Sequence, residues 1–164
     1  KNPFATVRVL HAHPEWENVR VWQLGEALEE SFAVEAREWE EREPRYRWPG
    51  SQSRGEVIDW LCQSAATVNS SWMEGGANAV TEAILIGTPV LASRVEGNIG
   101  LLGEGYGGFF EPGDEAGLAG LIGRLRSDPA VRETLRVQVE ARQELFRRER
   151  EVAAWREVVA GLVS

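Results

Sequence analysis

The apolar positions of this 164-residue chain change period again and again along its length. Short unbroken apolar stretches alternate with segments whose apolar residues recur every three or four positions. The first kind predicts strands buried on both faces, the second helices with one buried stripe. Phe4, Val7, Leu10 and His11 have helical spacing, with Asn2 as the cap and Pro3 in the first turn. Residues 18–24 (Val19, Val21 and Leu24 among them) predict a strand closed by Gly25. A helix over 31–43 follows, its stripe made of Phe32, Ala36 and Trp39 and its many glutamates facing water, and Pro44 ends it. Residues 46–48 predict a short strand before the turn pair Pro49-Gly50.

Ser53-Arg-Gly-Glu56 is a capping box and predicts a helix through Ser64, with Val57, Ile58, Leu61 and Cys62 as its buried face. Strands are predicted over 65–69, 89–93 and 108–111. A helix over 77–86 ends at Gly87, Asp114 caps a helix to about 127, Asp128-Pro129 restarts one to about 146, and a last helix covers 149–163. Glycines from Gly97 to Gly108, with Tyr106, predict a mobile connection. The alternation predicts an α/β fold: a Rossmann-like, doubly wound parallel sheet with helices on both faces. Such a sheet begins on a central strand, whereas this chain opens on Lys1, without Met, and on a helix. A strand just before Lys1 is therefore expected.

Composition narrows the function. Acidic residues outnumber basic ones 26 to 18, a net charge of −8, which argues against nucleic acid and anionic membranes as partners. No apolar run reaches the length of a membrane span. A lone Cys62 forms no internal disulfide, and a reducing, cytoplasmic setting is expected. His11-Ala-His13 places its imidazoles on different sides of a helix, which does not favour a shared metal. Of the seven tryptophans, Trp39, Trp60 and Trp155 lie on helical stripes. Arg94, just past a strand end, reaches an anion or stays on the surface.

Chemistry concentrates in Ser70-Ser-Trp-Met-Glu-Gly-Gly-Ala-Asn-Ala-Val-Thr-Glu82, between a strand and a helix. Gly75 and Gly76 let backbone amides approach a ligand closely. The helix starting near Ala77 presents free N–H groups and the positive end of its dipole, an anion site suited to a diphosphate. Glu74 and Glu82 flank it, and carboxylates bind hydroxyl groups rather than phosphate. A sugar joined to a nucleoside through diphosphate fits. Spacing alone leaves a second reading open, with Glu74 a capping partner and Glu82 a solvated helix residue.

Glu74-x7-Glu82-Ala83, then Gly87-Thr-Pro-Val-Leu-Ala-Ser93, Gly107-Gly-Phe-Phe-Glu-Pro-Gly-Asp114, and Asp128-Pro129 with Arg132, together resemble the signature of GT-B retaining glycosyltransferases of family 4. Nearly the whole chain is similar to the C-terminal, donor-binding half of that fold. Pro44-Arg-Tyr-Arg-Trp48, Glu74-Gly-Gly-Ala-Asn78 and Gly97-Asn-Ile-Gly-Leu-Leu-Gly103 resemble its branch of selenosugar synthases of selenoneine biosynthesis.

The resemblance implies one donor-binding domain over 1–164, closed by a C-terminal helix over 147–164 that crosses to an N-terminal acceptor domain of the same protein. It assigns Glu74 the catalytic contact with the hexose hydroxyls. The donor's sugar and diphosphate would meet Gly75, Gly76, Ala77 and Asn78, with Glu82 on the ribose and Lys1 on the diphosphate. It implies a UDP-sugar donor, no cofactor and no required metal; no Asp-x-Asp motif is present. The family often has an aromatic where Gly76 stands and glycine where Ala77 stands, so the Ala77 methyl is expected to narrow the approach to phosphate. Trp48 is placed near the nucleotide base and Trp72 near the sugar. The domain alone would bind a nucleotide sugar without turning it over efficiently. Two other functions fit the fold: a nucleotide-sugar epimerase, or a binding or scaffold domain without catalysis.

Overall fold

A computed structural model describes residues 1–147 and, beyond them, 152, 155–156 and 158–160. The elements run α1 (Ala5–Ala12), β1 (Val21–Leu24), α2 (Glu30–Arg42), β2 (Tyr46–Gly50), α3 (Arg54–Gln63), β3 (Thr67–Asn69) and α4 (Asn78–Ile86). They continue with β4 (Val90–Ser93), α5 (Glu96–Leu102), β5 (Phe109–Phe110), α6 (Glu115–Ser127) and α7 (Pro129–Glu140), then a 3₁₀ turn over Gln143–Phe146.

Every strand pair is parallel. Val21 lies opposite Tyr46 in β1–β2, Thr67 opposite Val90 in β3–β4, and Ala92 opposite Phe109 in β4–β5. The ladders form a two-stranded part, β1-β2, and a three-stranded part, β3-β4-β5. The expected single sheet is thus hydrogen-bonded in two pieces. No ladder among the described residues joins the two pieces. Helix α1 ties the pieces together: Ala5 and Val9 pack into the core around β4, while Phe4 and Val7 pack with Ala36 and Tyr46 beside β2. All four residues of β4 are buried, as a strand covered on both faces requires.

Local signals place most helix ends. Ser53 and Glu56 complete both halves of the capping box on α3. The Asp114 and Asp128 carboxylates accept from the Gly117 and Ala130 amides at the starts of α6 and α7. Gly87 closes α4 at φ 89°, a left-handed conformation in which a Cβ is strained.

Several expectations are corrected. Asn2 caps nothing: its carbonyl accepts from Ser70 Oγ and its side chain from Arg8, and α1 starts after Phe4. On α2 the buried residues are Ala33 and Ala36 rather than Phe32, whose ring is exposed beside Phe4. On α3 only Leu61 is buried, with Val57 packed at the core's edge. Ile58 and Cys62, each one residue and about 100° further round, face outward. Residues 96–102 form α5 instead of a mobile connection, and Tyr106 is buried, hydrogen-bonded by its hydroxyl to both the N–H and carbonyl of Val90. Helix α7 stops at Glu140. Of the last predicted stripe, Val152, Trp155 and Val159 are exposed, and Leu162 lies outside the described residues.

Tyr46 is fully buried, and its hydroxyl has no hydrogen-bond partner among the described residues. Burial pushes its titration upward. Tyr46→Phe removes this orphan without changing the ring, and should raise stability by about 1 kcal/mol in urea unfolding. A loss of stability would reveal a partner for the hydroxyl.

Candidate functional site

The carboxyl ends of β3 and β4 both carry a polar residue. Asn69 ends β3 and Ser93 ends β4, and both are buried. Loops leave the sheet at this edge, where parallel sheets bind ligands. The loop over 70–77 carries Ser71, Trp72, Met73 and Glu74 and leads into α4.

Glu74 is held from below. Ser71 Oγ donates to Glu74 Oε1 at 2.6 Å and Asn69 Nδ2 to the same oxygen at 3.4 Å. Lys1 Nζ also lies 3.4 Å from that oxygen, although the lysine itself is largely in solvent. Oε2 has no partner among the described residues and remains available to a ligand's hydroxyl. Burial pushes the Glu74 carboxyl up, but the hydrogen bonds from Ser71 and Asn69 and the Lys1 charge outweigh it and hold the group below the usual carboxylate range. Glu74 is therefore an anion at neutral pH, an acceptor only.

Beyond Glu74 the backbone is open. Thr81 is the first amide of α4 to find a helical acceptor, the Ala77 carbonyl. The amides of residues 75–80 donate to no backbone carbonyl among the described residues, and the helix has no side-chain cap. A Cβ added at Gly75 or Gly76 would meet no heavy atom within 4 Å, so the space above these residues is empty protein-side. Six unpaired amides at a helix start attract an anion.

The structure brings Lys1, Glu74 and residues 75–78 together at this edge. Lys1 is positioned by its neighbour Asn2, whose carbonyl is anchored on Ser70. Asn78 is exposed at the first turn of α4. Ala77 corrects the expectation placed on its methyl: the residue is buried and belongs to the core, so the methyl turns inward instead of narrowing the approach. Glu82 lies half-exposed in the second turn of α4, without a side-chain hydrogen bond or ion pair among the described residues.

Other candidates find ordinary roles. Arg94 pairs with Glu104 and lies over the Phe109 ring. His13 stacks on Trp16 and pairs with Glu15, while His11 pairs with Glu43. Trp48 donates its indole N–H to the Gly25 carbonyl, bracing the ends of β1 and β2. Trp72 rests its ring on the turn at Gly113 and remains more than half exposed. Two shallow depressions, one along Val34 and Trp39 of α2, the other along Phe110 and Leu121, lie away from Glu74.

Sequence reasoning overlooked the support beneath Glu74: Asn69, Ser71, Ser93 and Asn98. A usable signal was present at Ser93, because a lone polar residue closing the apolar strand β4 of a parallel sheet lies at the edge where such sheets bind ligands.

The family model described as Glycosyl transferases group 1 matches residues 4–128. The lipopolysaccharide core biosynthesis glycosyltransferase LpsD of Rhizobium meliloti (strain 1021) is 32% identical over 128 residues, which are 77% of this chain and 37% of that protein. Among solved structures, Anabaena HepE in complex with UDP and glucose superposes with a TM-score of 0.82 at 22% identity, over 99% of this chain and 45% of that one. Sucrose-phosphate synthase from Thermosynechococcus elongatus gives 0.73 at 21%, over 98% and 43%. The chain thus spans less than half the length of these relatives, and it shares with the solved structures the α/β fold of the part that it covers.

Proposed function

We propose a function from one premise: this chain belongs to the Glycosyl transferases group 1 family. It is the donor-binding domain of a retaining, family 4 glycosyltransferase that moves a hexose from a UDP-sugar to an acceptor. One observation carries this: the unpaired amides of residues 75–80 run into α4 directly beside a carboxylate whose Oε2 is free. The amides suit a diphosphate, Glu74 suits hexose hydroxyls, and Glu82 suits the ribose.

As the glycosidic bond breaks, negative charge builds on the leaving diphosphate. Amides fixed in advance at a helix start, with Lys1 beside them, stabilise that charge without reorganising. These groups supply the positive field themselves, so neither a metal nor a cofactor has a part in the scheme. The acceptor belongs to an N-terminal domain of the same protein, a division supported by the share of its relatives that the chain spans. For the acceptor itself, the motifs 44–48 and 97–103 support selenophosphate, as in the selenosugar synthase branch. The domain works in the cytoplasm, and among the described residues no helix is long and apolar enough to cross a membrane.

Calorimetry on the whole protein as its gene encodes it, with UDP, UDP-glucose and UDP-N-acetylglucosamine, tests the donor. Glu82→Ala should weaken UDP about tenfold, the worth of one lost charge-assisted hydrogen bond. Glu74→Ala should spare UDP and weaken UDP-glucose. Unchanged UDP affinity in Glu82→Ala removes its ribose role. A folded wild-type protein silent toward every nucleotide would point to a scaffold domain instead.

A further inference from the structure

Beneath Glu74 lies a buried polar chain that the donor scheme does not use. Asn98, in the first turn of α5, is fully buried, and its Nδ2 donates to Asn69 Oδ1 at 3.2 Å and to the Ser93 carbonyl at 2.9 Å. Asn69 Oδ1, facing Asn98 on one side, also accepts from the Ser71 amide at 3.4 Å. With its oxygen committed to two donors, the Asn69 amide must turn its NH₂ the other way, toward Glu74 Oε1. Ser93 Oγ donates to the Ser71 carbonyl at 2.6 Å, holding the residue whose own hydroxyl grips the same carboxylate oxygen.

Asn98 is also an expensive residue at its position. Its Oδ1 is buried and accepts nothing among the described residues. An apolar side chain of similar size would leave no such orphan. The position is therefore explained by what the NH₂ end does.

We infer that Asn98 is a positioning residue for Glu74: it fixes the orientation of the Asn69 amide, which with Ser71 ties down Oε1 and leaves Oε2 presented to the sugar. The inference rests on the donor-site reading above and adds a determinant of sugar binding that touches no part of the ligand. Satisfying one carboxylate oxygen from the protein restricts the rotation of the group, so the second oxygen is held in place before the ligand arrives.

The test is a double-mutant cycle by calorimetry on the whole protein, with UDP-glucose and UDP as probes. Asn98→Ala should weaken UDP-glucose about tenfold and change UDP by less than twofold. Added to Glu74→Ala, it should produce no further loss, because both changes remove one contact. Should Asn98→Ala not fold, Ser71→Ala, which deletes the 2.6 Å bond to Glu74, should show the same selective loss and the same lack of additivity. Equal weakening of both ligands, or losses that add, would overturn the inference and leave these residues as core packing. Failure of the donor reading shows itself separately, in a wild-type protein that makes no distinction between UDP-glucose and UDP or in a Glu74→Ala variant that binds UDP-glucose as tightly as wild type, and the inference falls with it.

Discussion

Arg45→Ala is expected to cost about 3–5 kcal/mol of folding stability at neutral pH, the effect of stranding one partner of a buried ion pair. Arg45 Nε donates to Glu43 Oε1 at 2.7 Å and its NH2 group to Oε2 at 2.8 Å, a two-pronged pair with Glu43 only 3% exposed. The same guanidinium donates to the carbonyls of Leu10, His13 and Trp16, closing the C-terminal end of α1 and the turn after it. Alanine thus leaves a buried carboxylate without its two-pronged partner and three carbonyls with only their backbone donors, at the helix that joins the two parts of the sheet.

The deficit should depend on pH. The Glu43 carboxyl is held down to about 2, chiefly by the Arg45 hydrogen bond, against burial and with help from His11. In an unfolded chain it titrates at about 4.3. Because the folded value is the lower one, the group's stabilisation is complete above the unfolded value and is lost as pH falls toward about 2. Without Arg45 the native carboxyl protonates more readily, which relieves the buried charge. Guanidinium unfolding should therefore show the largest gap between wild type and variant at pH 7 and a narrower one at pH 3. Matching midpoints at pH 7 would rule out this account. Arg45→Lys should recover only part of the loss, since a point charge cannot reproduce the fork.

Gly97→Ala should damage both stability and donor binding. A Cβ there would lie deep inside van der Waals contact of the Glu74 carbonyl oxygen, 2.7 Å from its carbonyl carbon and 3.1 Å from its Cβ. The first two are backbone atoms and cannot swing aside, so either α5 or the loop after β3 must move. A cost of about 1–3 kcal/mol is expected from the overpacking. A shift of this size at the carboxylate should lower UDP-glucose affinity by tenfold or more, since placement errors near 1 Å are felt strongly at a site. Gly100→Ala, on the same helix with no heavy atom within 4 Å of its added Cβ, is the control and should bind normally. Normal UDP-glucose affinity in Gly97→Ala would mean that the loop tolerates displacement and that α5 does not seat Glu74.

These residues show where the sequence was readable. Gly75, Gly76, Glu74 and the start of α4 were found because their chemistry is contiguous: a strand end, two glycines and a helix start within a dozen residues. Gly97 and Asn98 were read as part of a mobile stretch, since no local sequence pattern around either demands a glycine or an amide. Their reasons lie across the sheet edge, at Glu74 and Asn69. Glu43 was counted with a row of solvated glutamates for the same cause: its partner Arg45 is close in sequence, yet its burial is set by α1, more than 25 residues earlier.

The amino-acid order alone determined the alternation of strands and helices, because the period of the apolar positions is local, and the caps at Ser53, Asp114 and Asp128 and the stop at Gly87, because each depends on hydrogen bonds within about one turn of chain. Tertiary structure decided which side of α2 and α3 is covered, the division of the sheet into two ladders, and which oxygen of Glu74 is left free. Those outcomes are set by packing and hydrogen bonding between residues distant in sequence, where local periodicity carries no information about the partner.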